Sequence, residues 1–466
     1  MRVAGLSVDG MYDEFDFELA LNLDERVTIL HGANGLGKTT LLNLVENVLR
    51  GAWGAVARAP VRRFEVRLDD GRRLVVRNQA RAELTAAGAE THGDMSVELS
   101  DPAGADVQVW QPTHLPEAGA ATWARVTEAN PYLAQTGPEE WLDRRTGHAM
   151  TTNALLARHP EAVPILRRLL DEPDWLSEII DGVPCRLIGA DRLIVWEPQT
   201  RFEDVSYSGW MPAVTWYSNL ILRSIRDAQR RYADAAGSLD RTFPSRVLNE
   251  EAPPPSETEL RARFAQQGEH FTRLHEFSLI DSFEPIALPG RPLDDAERRV
   301  LWTYLQDSDA KLAAFDDVLE RLEALFDILQ ARAGRTFLGK RLAMDREQGL
   351  TVRLATGESV PLSSLSSGEQ HLLVLVCALL FEVDEGSLVL IDEPELSLHI
   401  AWQQAVVDGL IRTGAVRGLD FLIATHSPQI VHTHWDLTVD LEGEDEGYDP
   451  DEPENPDTRP DDGPGA

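Results

Sequence analysis

The chain has 466 residues, enough for about three domains and a large buried core. Its 43% hydrophobic and 26% charged residues are typical of a globular protein, which excludes a fibrous or wholly disordered chain. The net charge of −34 excludes a protein whose whole surface is coated by nucleic acid, although a local basic patch stays compatible with it.

The first hundred or so residues predict short strands with one helix between them. The apolar run Val27–Leu30 predicts a strand, Gly32 begins a glycine-rich loop, and the apolar spacing of Thr39–Leu49 is helical. From Phe64 to Arg77 polar and apolar residues alternate around Asp69-Asp70-Gly71, which predicts a β-hairpin. Residues 1–115 are therefore expected to form a first lobe.

Residues 116–335 are predicted to be a helical insertion, with one strand at 186–196 that returns to the core. Two longer helices in it have apolar residues at heptad-like spacing. These residues are Ile221, Ile225, Ala228, Tyr232 and Ala235 in the first helix, and Leu312, Phe315, Leu319, Leu322, Phe326 and Leu329 in the second. A short coiled-coil-like hairpin and an ordinary helical bundle give the same pattern, so both interpretations stay open.

Residues 336–439 are predicted to form a second α/β lobe with buried strands at Leu388–Ile391 and Phe421–Ala424. Residues 440–466 contain 12 acidic residues and one arginine without an apolar pattern, which predicts disorder. Cys185 and Cys377 suit a reducing compartment, and neither a secretion signal nor an apolar run of membrane-spanning length is found. The sequence predicts a cytoplasmic protein without a membrane segment.

The segment Gly32–Thr39 fits the GxxxxGK[ST] pattern, and it lies between a predicted strand and the start of a helix. Its glycines allow backbone N–H groups to surround a phosphate, Lys38 reaches the β and γ phosphates, and the Thr39 hydroxyl ligates Mg²⁺. The predicted ATP-binding residues are Gly32, Asn34, Gly35, Gly37, Lys38, Thr39 and Thr40.

The apolar strand Leu388–Ile391 ends in Asp392 and Glu393. Because an unpaired buried carboxylate is costly, this ending predicts a cation nearby, with Asp392 holding Mg²⁺ and Glu393 polarising the attacking water. A strand that simply leaves the core for solvent is the alternative interpretation.

Two further segments are candidates for contact with the γ-phosphate of ATP. Ser366 with Glu369 predicts a capping box at the start of an apolar helix, and with Gly368 it is also suited to bind the γ-phosphate of an ATP held by another subunit. His426 follows the second buried strand, where it either senses the γ-phosphate or is structural.

In chain order these four segments resemble the Walker A, signature, Walker B and switch-histidine motifs of ABC-type ATPases. The matched residues are Lys38 and Thr39 for Walker A, Ser366 and Gly368 for the signature, Asp392 and Glu393 for Walker B, and His426 for the switch. Ser367 stands where the usual LSGGQ signature has a glycine, which separates the chain from transporter ATPases. The chain instead resembles the RecF, SMC and overcoming-lysogenization-defect group, in which a long segment also separates Walker A from the signature.

Within that group, Asp392–His399 with Trp402-Gln403, together with Ser238–Pro244, resembles the AAA family ATPases of anti-phage systems, such as the Septu ATPase PtuA and retron-associated ATPases. The resemblance implies a homodimer or higher even oligomer that binds ATP and Mg²⁺, with Glu393 as general base and His426 at the γ-phosphate. It implies control of a separate effector such as an HNH nuclease, because the segment after His426 is too short for the nuclease domain of the lysogenization-defect enzymes. A RecF- or SMC-like ATPase that acts directly on DNA is the alternative.

Arginines dominate the segment from Arg58 to Arg81, and alternation places four of them on one face of the predicted hairpin. They are Arg63, Arg67, Arg73 and Arg77. Either they form a solvated face, or they contact the phosphate backbone of DNA or RNA with little sequence specificity.

The residue that would sense the nucleotide through a glutamine loop stays open. Gln79 and Gln199 are both candidates, and Arg192 is a third. The adenine-contacting residue is equally open.

Overall fold

A computed structural model describes most of the chain. The described residues are 1–33, 35–78, 95–112, 133–136, 140–144, 148–151, 167, 171–189, 193–197, 201–202, 205–206, 209–249, 253–281, 286–330, 340–396 and 400–441. Asn34, Gln79, Arg192 and Gln199 lie outside these ranges, and so do residues 442–466 of the segment 440–466 predicted to be disordered. The prediction is wrong at its first two residues, because Asp440 ends a strand that pairs with His31 and Leu441 is buried.

The strands are β1 Val3–Met11, β2 Phe15–Ala20, β3 Val27–His31, β4 Arg63–Leu68, β5 Arg73–Asn78, β6 Met95–Ser100, β7 Val107–Trp110, β8 Leu133–Gln135, β9 Glu140–Asp143, β10 His148–Thr151, β11 Cys185–Ile188, β12 Ile194–Glu197, β13 Arg201–Phe202, β14 Val205–Ser206, β15 Gly209–Pro212, β16 Lys340–Asp345, β17 Gly349–Leu354, β18 Ser359–Val360, β19 Leu388–Asp392, β20 Asp420–Thr425 and β21 Thr438–Asp440. The α-helices are α1 Lys38–Leu49, α2 Trp53–Arg58, α3 Asp174–Gly182, α4 Ala213–Asn249, α5 Glu257–Glu276, α6 Asp295–Leu312, α7 Asp316–Gln330, α8 Ser367–Cys377, α9 Ile400–Arg417 and α10 Pro428–Val431.

A parallel sheet combines strands from both ends of the chain. Its order is β11-β19-β20-β3-β21, and every neighbouring pair is parallel. The strands are near-continuous apolar runs because both faces of the sheet are covered. Since parallel strands end at the same edge, the segments after β3, β19 and β20 meet there.

Alternate residues of these strands enter two different cores. Ile29, Ile391 and Ile423 share a core with α4, α7 and α8, while Leu390 and Leu422 share the other with α1 and the first strands of the chain. One face of the parallel sheet therefore packs on helices from the predicted insertion and the predicted second lobe, and the other face packs on the predicted first lobe.

The other side is covered by an antiparallel sheet of order β2-β1-β4-β5-β6-β7. Within it, β4 and β5 form the predicted hairpin, which turns at Gly71 with φ +89°. The alternation of polar and apolar residues from Phe64 to Arg77 therefore corresponds to strands that pair in this sheet.

The middle of the chain corrects the expectation of a helical insertion with one strand. Where helix was predicted, β8, β9 and β10 form a three-stranded antiparallel sheet. The predicted strand at 186–196 is divided, since β11 joins the parallel sheet next to β19 while β12 pairs with β15. Over such short segments apolar spacing fits either period, and pairing with neighbouring strands decides the outcome.

The two sets of apolar residues at heptad-like spacing, here called seams, belong to a helical bundle. The helix α4 has 37 residues, a length of about 55 Å, and its Ile221 and Ile225 are buried with Phe315 and Leu322 in the core that also contains α8. A 3-10 turn, Ala313–Phe315, separates α6 from α7, so the second seam runs over two helices. Of the two interpretations left open, this packing favours the helical bundle, and the short coiled-coil-like hairpin is not confirmed.

The predicted α/β class is confirmed, with the glycine-rich loop between β3 and α1. None of the helices in the described part of the chain combines the length and apolar character that a membrane crossing requires.

Candidate nucleotide-binding and catalytic site

The glycine-rich loop after β3 has backbone conformations that side chains disfavour. The φ angles are +98° at Gly35 and +83° at Gly37, and Gly37 lies directly before α1. A Cβ atom at Gly37 would lie 2.6 Å from Met11 Sδ. The left-handed conformation and the close approach of Met11 together explain why glycine is required at this helix start.

Lys38 is only 6% exposed, and its ammonium lies within the loop. Its Nζ donates hydrogen bonds to the carbonyl oxygens of Gly32 (2.7 Å) and Ala33 (2.8 Å). These carbonyls fix the position of the ammonium, and because they carry no formal charge the two bonds do not neutralise it.

The first residue after Lys38 joins the loop to the end of β19. The Thr39 hydroxyl donates to Asp392 Oδ2 at 2.9 Å, with Oδ1 at 3.2 Å. Burial raises the pKa of Asp392 above its usual value, and the Thr39 hydroxyl partly opposes this shift. A hydroxyl and a half-buried carboxylate in contact are hard oxygen ligands of the kind that Mg²⁺ prefers, so these residues fit the ion.

Glu393 lies beside His426 at the same edge of the sheet. Glu393 Oε2 lies 2.5 Å from His426 Nδ1, and the Glu393 backbone N–H donates to Ala424 O at 2.9 Å. Glu393 has φ +46°, a strained conformation for a residue with a side chain. Burial, and then the carboxylate of Glu395, raise the pKa of Glu393, while His426 opposes the shift.

A cavity of about 270 Å³ opens at this edge. The residues lining it are Tyr12, Gly35, Gly37, Lys38, Thr39, Thr40 and Glu393. The lining therefore brings most of the described loop residues predicted to bind ATP into one cavity with the predicted general base.

The predicted signature residues lie at the start of α8 and do not line this cavity in the described chain. Ser366 and Glu369 form the expected capping box: Glu369 Oε2 accepts from Ser366 N at 2.7 Å, and Ser366 Oγ accepts from Glu369 N at 3.4 Å. Lys340 Nζ also donates to Glu369 Oε2, at 2.9 Å. Ser366 is exposed and Gly368 is partly exposed, so this helix start is accessible to another molecule.

The four arginines of the hairpin do share one face, since Arg63 pairs with Arg77 and Arg67 with Arg73 across the strands. Carboxylates compensate three of them: Asp9 and Glu65 at Arg63, Glu18 at Arg67, and Glu98 at Arg77. Arg73 is exposed. The ion pairs of the other three arginines reduce the positive electrostatic potential that a phosphate backbone would meet at this face.

Sequence reasoning missed two residues near the cavity. Tyr12 lines it, has φ +56°, and its hydroxyl lies 2.8 Å from Thr40 Oγ1; nothing in the sequence marks this residue, which comes from the distant β1–β2 turn. Glu395 is buried, and its sequence signal is that of a third acid, two residues after Glu393.

Comparison with known proteins gives one family match and one curated relative. Residues 222–432 match the family described as AAA domain, putative AbiEii toxin, Type IV TA system. The retron Ec83 probable ATPase of Escherichia coli is 34% identical over 82 residues, which is 18% of this chain and 15% of the length of that protein.

Similar solved structures are SMC head domains. The Smc head domain from Pyrococcus furiosus, with an extended coiled coil and bound to the C-terminal domain of ScpA, is 15% identical with a TM-score of 0.33, covering 92% of this chain and 91% of its own. The SMC head domain from Thermotoga maritima is 10% identical with a TM-score of 0.31, over the same shares of the two chains. The resemblance to AAA family ATPases is confirmed by the family match and the retron relative.

Proposed function

We propose that the protein is an ABC-type ATPase that binds ATP with Mg²⁺ at the carboxyl edge of the parallel sheet. The contact between Thr39 and Asp392 is the observation that carries this proposal, because it joins the glycine-rich loop to a strand-end carboxylate. Glu393 lines the same cavity and so faces the place where the terminal phosphate of a nucleotide would lie.

The chemistry follows from these positions. Lys38 and the loop N–H groups bind the phosphates, and Thr39 with Asp392 holds Mg²⁺, which neutralises phosphate charge when it is bound. Glu393 takes a proton from water, a role that a raised carboxyl pKa favours at neutral pH, and His426 orients the Glu393 carboxylate. Phosphoryl transfer needs mainly such positioning and charge stabilisation.

The helix start at Ser366 supports a dimer that closes on ATP. Because Ser366 and Gly368 lie outside the cavity of their own chain, they suit the γ-phosphate held by a second copy, where helix N–H groups and the helix dipole favour an anion. Each ATP would then lie between the loop of one copy and α8 of the other, which requires a homodimer or a higher even oligomer.

In this proposal the ATPase is a regulatory subunit of a cytoplasmic anti-phage system. The support is the motif resemblance to Septu and retron-associated ATPases together with the short match to the retron Ec83 probable ATPase. ATP-dependent closure would change the position of the helical bundle, which packs on α8, and would thereby control a separate effector such as an HNH nuclease.

The test of the ATPase is Glu393→Gln. We expect ATP turnover to fall by a factor of about 10³ or more while ATP binding remains, since only proton abstraction is removed. Turnover is measured as phosphate release and binding by calorimetry, with Glu385→Gln as the control because Glu385 is an exposed carboxylate that precedes β19 and does not line the cavity. Normal turnover by Glu393→Gln would contradict the assignment of the base.

Two measurements separate the defence proposal from a RecF- or SMC-like ATPase acting on DNA. Co-purification of a nuclease from the native host, or an adjacent gene for an HNH nuclease or a reverse transcriptase, favours the first. ATP turnover stimulated by DNA favours the second, if changing Arg63, Arg67, Arg73 and Arg77 together to glutamate removes the stimulation and not the turnover measured without DNA.

A further inference from the structure

Glu395 is a buried acid that the proposed mechanism does not use. Its side chain is 6% exposed, and it does not line the cavity that contains Glu393. Burying a carboxylate costs free energy unless hydrogen-bond donors surround it, so this position requires an explanation.

The donors around Glu395 come from the end of β20. Its Oε1 accepts hydrogen bonds from the Thr425 hydroxyl and from the His426 backbone N–H, the latter at 3.2 Å. The same oxygen lies 3.3 Å from His426 Nδ1. Thr425 is fully buried. Through these hydrogen bonds Glu395 connects the backbone at Thr425 and His426 to the segment that follows β19.

The base is connected to this anchor at two points. His426 Nδ1 contacts Glu393 Oε2 at 2.5 Å, and the Glu393 backbone N–H bonds to Ala424 O, two residues before His426. Because Glu393 is held at φ +46°, its orientation depends on such neighbours and not on an intrinsically favoured conformation.

We propose that Glu395 is a positioning residue, which fixes Thr425 and His426 and through them holds the Glu393 carboxylate toward the cavity. This inference rests on the proposed ATPase function. Loss of the acceptor would leave the Thr425 hydroxyl and the His426 N–H unsatisfied in a buried site, so the strand end would rearrange and the base would lose its alignment.

The test compares four variants with the wild-type chain. Glu395→Ala should lower kcat roughly 10- to 100-fold with KM for ATP changed less than about twofold, because it misaligns the base without touching the phosphate-binding loop. Glu395→Gln keeps a neutral oxygen acceptor and should recover a large part of kcat. Thr425→Val should lower kcat and Thr425→Ser, which keeps the hydroxyl, should not.

A readout independent of turnover is amide hydrogen exchange of the peptide spanning residues 421–430 without nucleotide. Faster exchange there in Glu395→Ala, restored in Glu395→Gln, is expected from the loss of the acceptor for the His426 N–H. An unchanged exchange rate, a wild-type kcat in Glu395→Ala, or a parallel loss of kcat, ATP affinity and melting temperature would overturn the positioning role. If the wild-type chain does not hydrolyse ATP, the proposed function fails; if only Glu395→Ala behaves like wild type, this inference alone fails.

Discussion

At the scale of single residues, the site depends on carboxylates held at the end of one strand in three different environments. Asp392 contacts the Thr39 hydroxyl, Glu393 lines the cavity beside His426, and Glu395 is buried against Thr425. Although the three carboxylates are close in the sequence, their side chains therefore contact different partners.

The raised pKa of Asp392 leads to a prediction about stability. A carboxyl with a raised pKa in the folded state favours folding when it is protonated, and this contribution is lost as the pH rises through the raised pKa. At neutral pH and without nucleotide, ionised Asp392 should therefore destabilise the fold. We expect Asp392→Asn to raise the melting temperature by roughly 1–3 °C at pH 7.5, with a smaller difference near pH 4.

The measurement is a melting curve at each pH, with Asp384→Asn as the control because Asp384 is exposed. Addition of Mg²⁺ and ATP should reverse the order, since only the wild-type chain gains the full stabilisation of ligand binding. A variant that melts below the wild type at pH 7.5 without ligand would show that burial does not dominate at Asp392.

At the scale of elements, the start of α8 serves both capping and, in the proposal, recognition of phosphate in the second copy. The chain contains a second capping box at the start of α6, formed by Asp294 and Glu297. The two helix starts have the same pattern of capping hydrogen bonds, so variants at the two N-caps separate the stabilising role from the proposed functional one.

Ser366→Ala and Asp294→Ala should each lower the free energy of unfolding by about 1 kcal/mol, the usual cost of losing an N-cap side chain. Only Ser366→Ala should also lower ATP turnover, by roughly tenfold or more, because the γ-phosphate loses a hydrogen-bond donor from the second copy. Denaturant titrations and phosphate release measure the two effects. Equal turnover in the two variants would restrict Ser366 to capping.

At the scale of the whole molecule, a dimer must bring together two chains that each carry a net charge of −34. Like charges of this size oppose association, and salt screens them because the Debye length falls as ionic strength rises. Residues 442–466 contribute 11 acidic residues and one arginine to this charge.

Removal of residues 442–466 should therefore tighten ATP-dependent dimerisation, by roughly threefold or more at 50 mM salt and by less at 300 mM. Sedimentation of Glu393→Gln with ATP measures it, since that variant retains the nucleotide in our proposal. A tail of equal length made of serine and glycine is the control and should behave like the truncated chain. An effect of the same size at both salt concentrations would exclude charge repulsion as its cause.

The sequence by itself determined the parts of this protein whose chemistry is local. The loop from Gly32 to Thr39, the strand ending in Asp392 and Glu393, the capping box at Ser366 and the hairpin around Gly71 each depend on neighbours a few residues away, so spacing was sufficient to predict them.

Only the tertiary structure decided the features that depend on partners distant in the chain. Pairing between strands produced β8–β10 where a helix was predicted, and packing on α8 turned two heptad-like seams into a bundle. Carboxylates from other strands compensate most of the arginine face, and Tyr12 and Glu395 reach the site only because β1, β19 and β20 converge there. Such contacts form when the chain closes long loops, and neither propensity nor local spacing records which segments meet.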